Sequence, residues 1–117
     1  MREGRNGFLE LGDRDFAIQS ERVNGSARVR VAGEMDLAVI GAVDRVMQRA
    51  EATDATKIVL DLHQLEFMDA SGVRLLLHLS ERSQNNGRRL RITRARSPQV
   101  RRVIEITGAG ELLPFED

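Results

Sequence analysis

The segment Leu65-Glu66-Phe67-Met68-Asp69-Ala70-Ser71-Gly72-Val73-Arg74 decides the fold, because small and polar residues here join two apolar runs. Before it, Ile58-Val59-Leu60-Asp61-Leu62 is nearly continuously apolar, as is typical of a strand covered on both faces. The apolar residues that follow, up to Leu79, are too dense for an exposed loop. We therefore predict a strand over residues 57–62 and, after the junction, a helix over residues 71–86 packed on a sheet.

Length and composition bound the rest of the chain. With 117 residues, 41% of them hydrophobic, it is long enough for one domain that buries its own core. We predict a short tail or edge strand in residues 1–12 and a single domain over residues 13–117. The 18 basic and 18 acidic residues cancel, so no net charge attracts nucleic acid or an anionic membrane.

Several classes of site are excluded or disfavoured by residue types. The absence of cysteine excludes disulfides and thiolate metal sites and fits a reducing compartment. The two histidines, His63 and His78, lack metal-ligand spacing, and no glycine-rich phosphate loop precedes a helix. No apolar stretch is long enough for a membrane span or a signal peptide. We expect a soluble cytoplasmic protein without metal or cofactor.

The amino-terminal half reads as two strands and a helix. Phe16-Ala17-Ile18 and Ala27-Arg28-Val29-Arg30-Val31 alternate with a period of two, and Asn24-Gly25 between them indicates a type I′ hairpin turn. The first two main strands should therefore be antiparallel. Asp36 is placed to cap a helix whose apolar residues recur with helical period up to Ala50.

The carboxyl-terminal half continues the alternation of strand and helix. Asn85-Asn86-Gly87 should end the junction helix, Arg89–Thr93 should form a half-exposed strand, and Ser97-Pro98 should open a helix that Gly108 closes. A last short strand is expected over residues 112–115. This order predicts an α/β fold with a mixed sheet, an antiparallel hairpin plus parallel strands, and three main helices.

The junction between the predicted strand and the predicted helix can be interpreted in two ways. Asp69 can cap the helix by accepting from the amides of Ser71 and Gly72, and this alone could explain it. A helical projection, however, places Ser71, Arg74 and His78 on the outer face with Leu75 beside them. Such a partly apolar surface beside an exposed serine suits a protein partner.

The residues around the junction give little support for an enzymatic site. Ser71 as a nucleophile would need a nearby base, and His78 is seven residues on, roughly 10 Å away at the helical rise. Asp61, Glu66 and Asp69 are explained as caps and solvated carboxylates. We predict that the chain is not an enzyme.

Residues 82–104 hold eight arginines and no acidic residue. The simplest interpretation is a solvated rim balanced by acidic residues elsewhere. Binding of an acidic partner surface, a nucleotide or nucleic acid is the alternative. Nucleic acid is the weakest of these, because the chain has no Trp or Tyr to stack on bases.

Three motifs, taken together, resemble a known family. Gly33-Glu34-Met35-Asp36, the stretch from Asp61 to Val73 with Phe67-Met68-Asp69-Ala70-Ser71-Gly72 at its centre, and Ser97-Pro98-X-Val100 resemble the STAS domain of bacterial anti-sigma-factor antagonists. The resemblance implies a STAS-like fold and a protein that binds an anti-sigma factor with serine/threonine kinase activity, thereby releasing a sigma factor. Phosphorylation at the helix start would break the complex, and a phosphatase, for example of the PP2C type, would restore it.

The resemblance also implies site residues. Asp36 lies near the switch, and Asp69 immediately precedes the usual phosphoacceptor, where this chain has Ala70. Ser71 and Arg74 occupy the following positions, and a cation at Arg74 is a second departure. Two hypotheses remain: constitutive binding, or phosphorylation of Ser71. The expected partner-binding residues are Asp36, Asp69, Ala70, Ser71, Gly72, Arg74, Leu75 and His78.

The competing interpretation of the resemblance is a structural or nucleotide-binding STAS module. Such a module would belong to a stress-signalling or transport-associated complex and would not be phosphoregulated.

Overall fold

A computed structural model describes residues 7–10 and 15–116, with side chains from residue 15 onward. The strands are β1 (Gly7–Glu10), β2 (Phe16–Val23), β3 (Ser26–Met35), β4 (Lys57–Met68), β5 (Leu90–Thr93) and β6 (Phe115–Glu116). The helices are α1 (Leu37–Glu51), α2 (Ala70–Gln84) and α3 (Pro98–Ile106), and a short 3₁₀ turn spans Ala109–Glu111. The predicted edge strand within residues 1–12 corresponds to β1, and the remainder of that segment lies outside the described residues.

The six strands form one sheet in sequence order, β1-β2-β3-β4-β5-β6. β1, β2 and β3 are antiparallel neighbours, and β3, β4, β5 and β6 are parallel ones. The turn between β2 and β3 has positive φ at both Asn24 (50°) and Gly25 (86°), as a type I′ turn requires. The predicted mixed sheet with three helices is therefore confirmed.

The core lies between the sheet and the helices. Val29 and Val31 of β3, Met47 of α1 and Leu76 of α2 are all at most 1% exposed. The predicted helix starts are confirmed at Asp36, Asp69 and Ser97, each of which accepts a backbone N–H of its own first turn. The last strand begins after Pro114 rather than at Leu112, because Leu112 closes the 3₁₀ turn, with its amide donating to the carbonyl of Ala109 at 2.9 Å.

β4 is six residues longer than predicted and reaches Met68. Its second half was missed because its apolar residues recur every third position, at Leu62, Leu65 and Met68, all buried. Two bulges in the pairing with β3 cause this spacing, since β4 carries one extra residue at each of two register shifts. The buried positions therefore depart from the strand period of two.

Gly33 is required at the second of these shifts. Its φ is +93°, and a Cβ there would overlap the carbonyl oxygen of Asp15, which accepts from the amide of Glu34 at 2.7 Å. A side chain at this position would therefore disrupt both a left-handed backbone conformation and a backbone hydrogen bond.

We expect Gly33→Ala to lower the free energy of unfolding by about 2 kcal/mol or more, through strain at positive φ and the clash with Asp15. The matched control is Gly41→Ala, because Gly41 is an exposed residue of α1 whose new Cβ would meet only the Arg45 side chain at 3.4 Å. This control should raise stability by about 0.5–1 kcal/mol. Urea unfolding of both variants checks the prediction, and equal stabilities would contradict it.

Candidate functional site

The ends of two neighbouring parallel strands build the candidate site. Met35, the last residue of β3, is paired with Met68, the last residue of β4. Each is followed at once by an aspartate that caps a helix: Asp36 accepts from the Ala38 amide at 3.0 Å, and Asp69 accepts from the Ser71 amide at 3.0 Å. The amide of Asp69 also donates to the carbonyl of Met35 at 3.3 Å. The amino-terminal ends of α1 and α2 therefore lie side by side at one edge of the sheet.

Two predicted orientations on α2 are wrong. Ser71 was expected to face solvent, but it is 8% exposed and its Oγ donates to Oδ1 of Asp69 at 2.5 Å. Leu75 was expected on the surface and is 5% exposed. The physical reason is that α2 packs against α1, α3 and the sheet, so the buried arc is wider than a projection onto one apolar face suggests.

Gly72 is fixed by close packing beneath the junction. A Cβ on it would lie 2.5 Å from Cγ of Met68 and 3.4 Å from Sδ of Met35. The two methionines that end the paired strands therefore occupy the space next to Gly72, and α2 can begin this close to the strand ends only without a side chain there. The predicted partner-binding role of Gly72 stays a prediction.

The exposed part of the junction is a mixed surface, which we call the junction surface. Ala70 is the first residue of α2 and is exposed, as are Arg74 and His78 further along the helix. Leu37, the first residue of α1, is 75% exposed, and Phe67 is 38% exposed. The junction surface comprises Leu37, Phe67, Ala70, Arg74 and His78.

Sequence reasoning missed Leu37 and Phe67. The signal for Leu37 was available, since it follows a capping aspartate and lies off the apolar face formed by residues such as Val39 and Val43. Phe67 could not have been found, because its exposure follows from the bulge that separates the pairs Gly33–Leu65 and Glu34–Phe67.

Gln99 was also missed, and it fixes the end of β4. Its Oε1 accepts from the amide of Met68 at 3.0 Å, and its Nε2 donates to the carbonyl of Met68 at 3.1 Å. Ser97 donates from Oγ to the carbonyl of Glu66 at 2.9 Å. The start of α3 therefore replaces the neighbouring strand that β4 lacks beyond Asp61, where its pairing with β5 ends.

The arginine-rich stretch separates into different roles. Arg82 joins α2 to α1 through Glu51 (2.8 Å) and Asp44 (2.8 Å). The hydrogen bond to Glu51 is the largest cause raising the pKa of the Arg82 guanidinium, and burial opposes it. Arg89 donates to the carbonyls of Glu51, the last residue of α1, and of Thr53 and Ala55, which follow it. These two arginines are structural, and their role in the packing of α1 was not predicted.

Features of other site classes are absent from the described residues. No group of three or more histidine and acidic side chains in this part of the chain could hold a metal ion. No helix there is both long and apolar enough to cross a membrane.

Comparison with known proteins agrees with this geometry. Residues 18–114 match the family model described as "Mlab, STAS domain". The chain belongs to the STAS domain family. An anti-sigma F factor antagonist of Paenibacillus polymyxa is 29% identical to this STAS domain over 104 residues, which cover 88% of both chains.

Solved structures of STAS proteins are similar over nearly the whole chain. An anti-sigma factor antagonist from Mycobacterium paratuberculosis has a TM-score of 0.75 and 27% identity, covering 92% of this chain and 89% of the other. The antagonist SpoIIAA in its unphosphorylated form has a TM-score of 0.69 and 27% identity, covering 86% and 88%. The resemblance to this family is confirmed.

We expect Gln99→Ala to lower the free energy of unfolding by about 1–3 kcal/mol, because it leaves the buried amide and carbonyl of Met68 without partners. The amide of Met68 should also exchange with solvent faster than in the unsubstituted protein. Gln84→Ala is the matched control, since Gln84 is exposed at the end of α2. Hydrogen exchange and urea unfolding check the prediction, and an unchanged exchange rate at Met68 would contradict it.

Proposed function

We propose that this STAS domain is a non-enzymatic anti-sigma-factor antagonist that acts in the cytoplasm. Its partner is an anti-sigma factor with serine/threonine kinase activity, and binding releases a sigma factor. The observation that carries the proposal is the junction surface, where the exposed Leu37, Phe67 and Ala70 lie beside two aspartate-capped helix starts. The relatives named as anti-sigma factor antagonists support this choice of partner.

The chemistry of the junction surface suits a protein partner. Leu37 and Phe67 offer apolar area that a partner would remove from water, at about 25 cal/mol per Å². Arg74 and His78 border this area and have no ion pair within the described residues. The other predicted partner-binding residues support the junction surface indirectly, because they shape the two helix starts. These residues are Asp36, Asp69, Ser71, Gly72 and Leu75.

Of the two hypotheses on regulation, we propose constitutive binding. Ala70 has no hydroxyl at the position of the family's usual phosphoacceptor. The only hydroxyl of the four residues 69–72 belongs to Ser71, which is buried and donates to Asp69. A kinase would have to break this hydrogen bond and the first turn of α2 to reach it. A phosphatase is then not part of the cycle of this protein.

Binding should depend on the junction surface. We expect Leu37→Glu and Ala70→Glu each to weaken binding to the cognate anti-sigma factor at least about tenfold, because each places an unpaired charge in a desolvated contact. Leu112→Glu is the matched control, since Leu112 is 68% exposed and follows the 3₁₀ turn rather than either helix start. Calorimetry against each anti-sigma factor of the source genome, expressed separately, measures the effect.

The outcomes separate the proposal from its alternative. Loss of binding in both junction variants, with the Leu112 variant unchanged, supports the antagonist. No binding to any anti-sigma factor, together with co-purification of subunits of a transport or stress-signalling complex, would favour the structural STAS module instead.

Regulation can be tested by restoring a hydroxyl. After incubation with the partner kinase and ATP, we expect no phosphate on residues 69–72 of the unsubstituted protein. Ala70→Ser should be phosphorylated and should then lose affinity, because the added charge of about −1.5 to −2 lies beside Asp69. Peptide mass spectrometry locates the phosphate. Phosphate on Ser71 of the unsubstituted protein would overturn constitutive binding.

A further inference from the structure

A second site lies on the side of β4 that the junction does not use. Beyond Asp61 the strand has no partner in β5, and the chain between β5 and α3 contacts it through the Arg96 amide, which donates to the His63 carbonyl at 3.4 Å, and further along through Ser97. A cavity of about 350 Å³ opens here and is lined by Arg30, Val31, Asp61, His63, Gln64 and Arg96. A neighbouring cavity of about 540 Å³ shares His63, Gln64 and Arg96. Nothing in the proposed antagonist function uses these side chains.

The cavity has an excess of hydrogen-bond donors. Within the described residues, no hydrogen bond or ion pair reaches the side chains of His63, Gln64 or Arg96. All three are exposed to the cavity side of the sheet, and the guanidinium of Arg96 alone offers five N–H donors. The bulge after Asp61 is what turns two successive residues, His63 and Gln64, to the surface.

The carboxylate in the lining is already occupied. Oδ2 of Asp61 lies 3.0 Å from Nη1 of Arg28 and 3.8 Å from Nε of Arg30, and its Oδ1 accepts from the amide of His63 at 2.9 Å. Arg30 also pairs with Glu21 at 3.3 Å through Nη2, which leaves its Nη1 without a partner among the side chains that the structure describes. Asp61 is 8% exposed and its carboxylate is shared between the two arginines of β3, so it holds Arg30 in place rather than offering an acceptor to a ligand.

We call the cavity of about 350 Å³ the inner cavity and its neighbour of about 540 Å³ the outer cavity. The surrounding charges favour an anion in the inner cavity. Arg28, Arg30 and Arg96 carry three positive charges against the two of Asp61 and Glu21. Glu66 lines only the outer cavity and is exposed, so it opposes an anion from the rim. A small oxyanion would satisfy the free donors of several side chains at once, because each of its oxygens accepts more than one hydrogen bond.

We propose that this cavity binds a phosphate group, with Arg96 and Nη1 of Arg30 as its charged ligands and the side chains of His63 and Gln64 as further hydrogen-bond donors. The proposed site gives a role to Arg96, an arginine of the stretch over residues 82–104 that the packing of the fold does not explain. Free phosphate and a small phosphomonoester present the same group, and they differ in what fills the neighbouring outer cavity. The site is separate from the junction surface, so its test needs no protein partner.

Titration with inorganic phosphate, followed by ¹⁵N-edited NMR at fixed pH and ionic strength, tests the proposal. We expect saturable shifts confined to residues near 30, 61–66 and 96, which chloride at the same ionic strength does not produce. Glycerol 3-phosphate forms the second arm, and tighter binding of it than of phosphate would identify a phosphomonoester as the ligand. Linear shifts that chloride reproduces would overturn the site.

Three variants sharpen the result. Arg96→Gln should raise the dissociation constant at least about tenfold, as expected for loss of a charge-assisted contact. Glu66→Gln should lower it about two- to threefold, since it removes the opposing charge at the rim. Arg102→Gln is the matched control, because Arg102 is exposed on α3 and lines neither cavity, and it should change nothing. Equal weakening by the Arg96 and Arg102 variants would mean general charge attraction and would refute the site.

Discussion

The parallel pairing of β3 with β4 is the constraint on which the candidate site depends, and its register is not uniform. The pairing begins with Ser26 opposite Lys57 and ends with Met35 opposite Met68, so β4 uses two more residues than β3 over the same distance. Without those two residues the strands would end out of step, and the caps Asp36 and Asp69 would not meet at one edge. The bulges therefore place the two helix starts, and the helix starts place the junction surface.

Sequence patterns predicted those parts of the molecule that depend on neighbours in the chain. The Asn24-Gly25 turn, the three capping residues and the alternation in β5 follow from local rules and are confirmed. The second half of β4 was not predicted, because bulges change its burial period from two toward three. Ser71 and Leu75 were misplaced for a related reason, since a helix enclosed by two other helices and a sheet has no single buried stripe. Gln99 illustrates the limit most clearly, because its two hydrogen bonds join residues 31 positions apart and have no local signature.

The same two bulges explain why β4 can carry two unrelated surfaces. The shift before Phe67 leaves this residue exposed two positions before Asp69, paired with the exposed Glu34. The shift after Asp61 exposes His63 and Gln64 beside Arg96. In a regular strand, successive side chains alternate between the core and the open face. One residue of the pair His63 and Gln64, and one of the pair Glu66 and Phe67, would then have been buried. On the other edge of β4, where pairing with β5 ends at Asp61, the side chains of Ser97 and Gln99 supply hydrogen bonds in place of a neighbouring strand.

A phosphoacceptor at position 70 would have stood at the first exposed residue of α2, where the dipole of the helix start attracts negative charge but Asp69 repels it. Within the monomer these effects oppose each other, so a phosphate there would act mainly on a partner that has to exclude water from the junction surface. In the proposed function, Ala70 would remove this means of control while keeping a small apolar side chain at the start of α2. The same proposal excludes Ser71 as a substitute, because its hydroxyl is buried and donates to Asp69, the cap of α2. In the proposed function, Ser71 would then stabilise the start of α2, and affinity for the partner would depend on the shape and charge of Leu37, Phe67, Ala70 and Arg74.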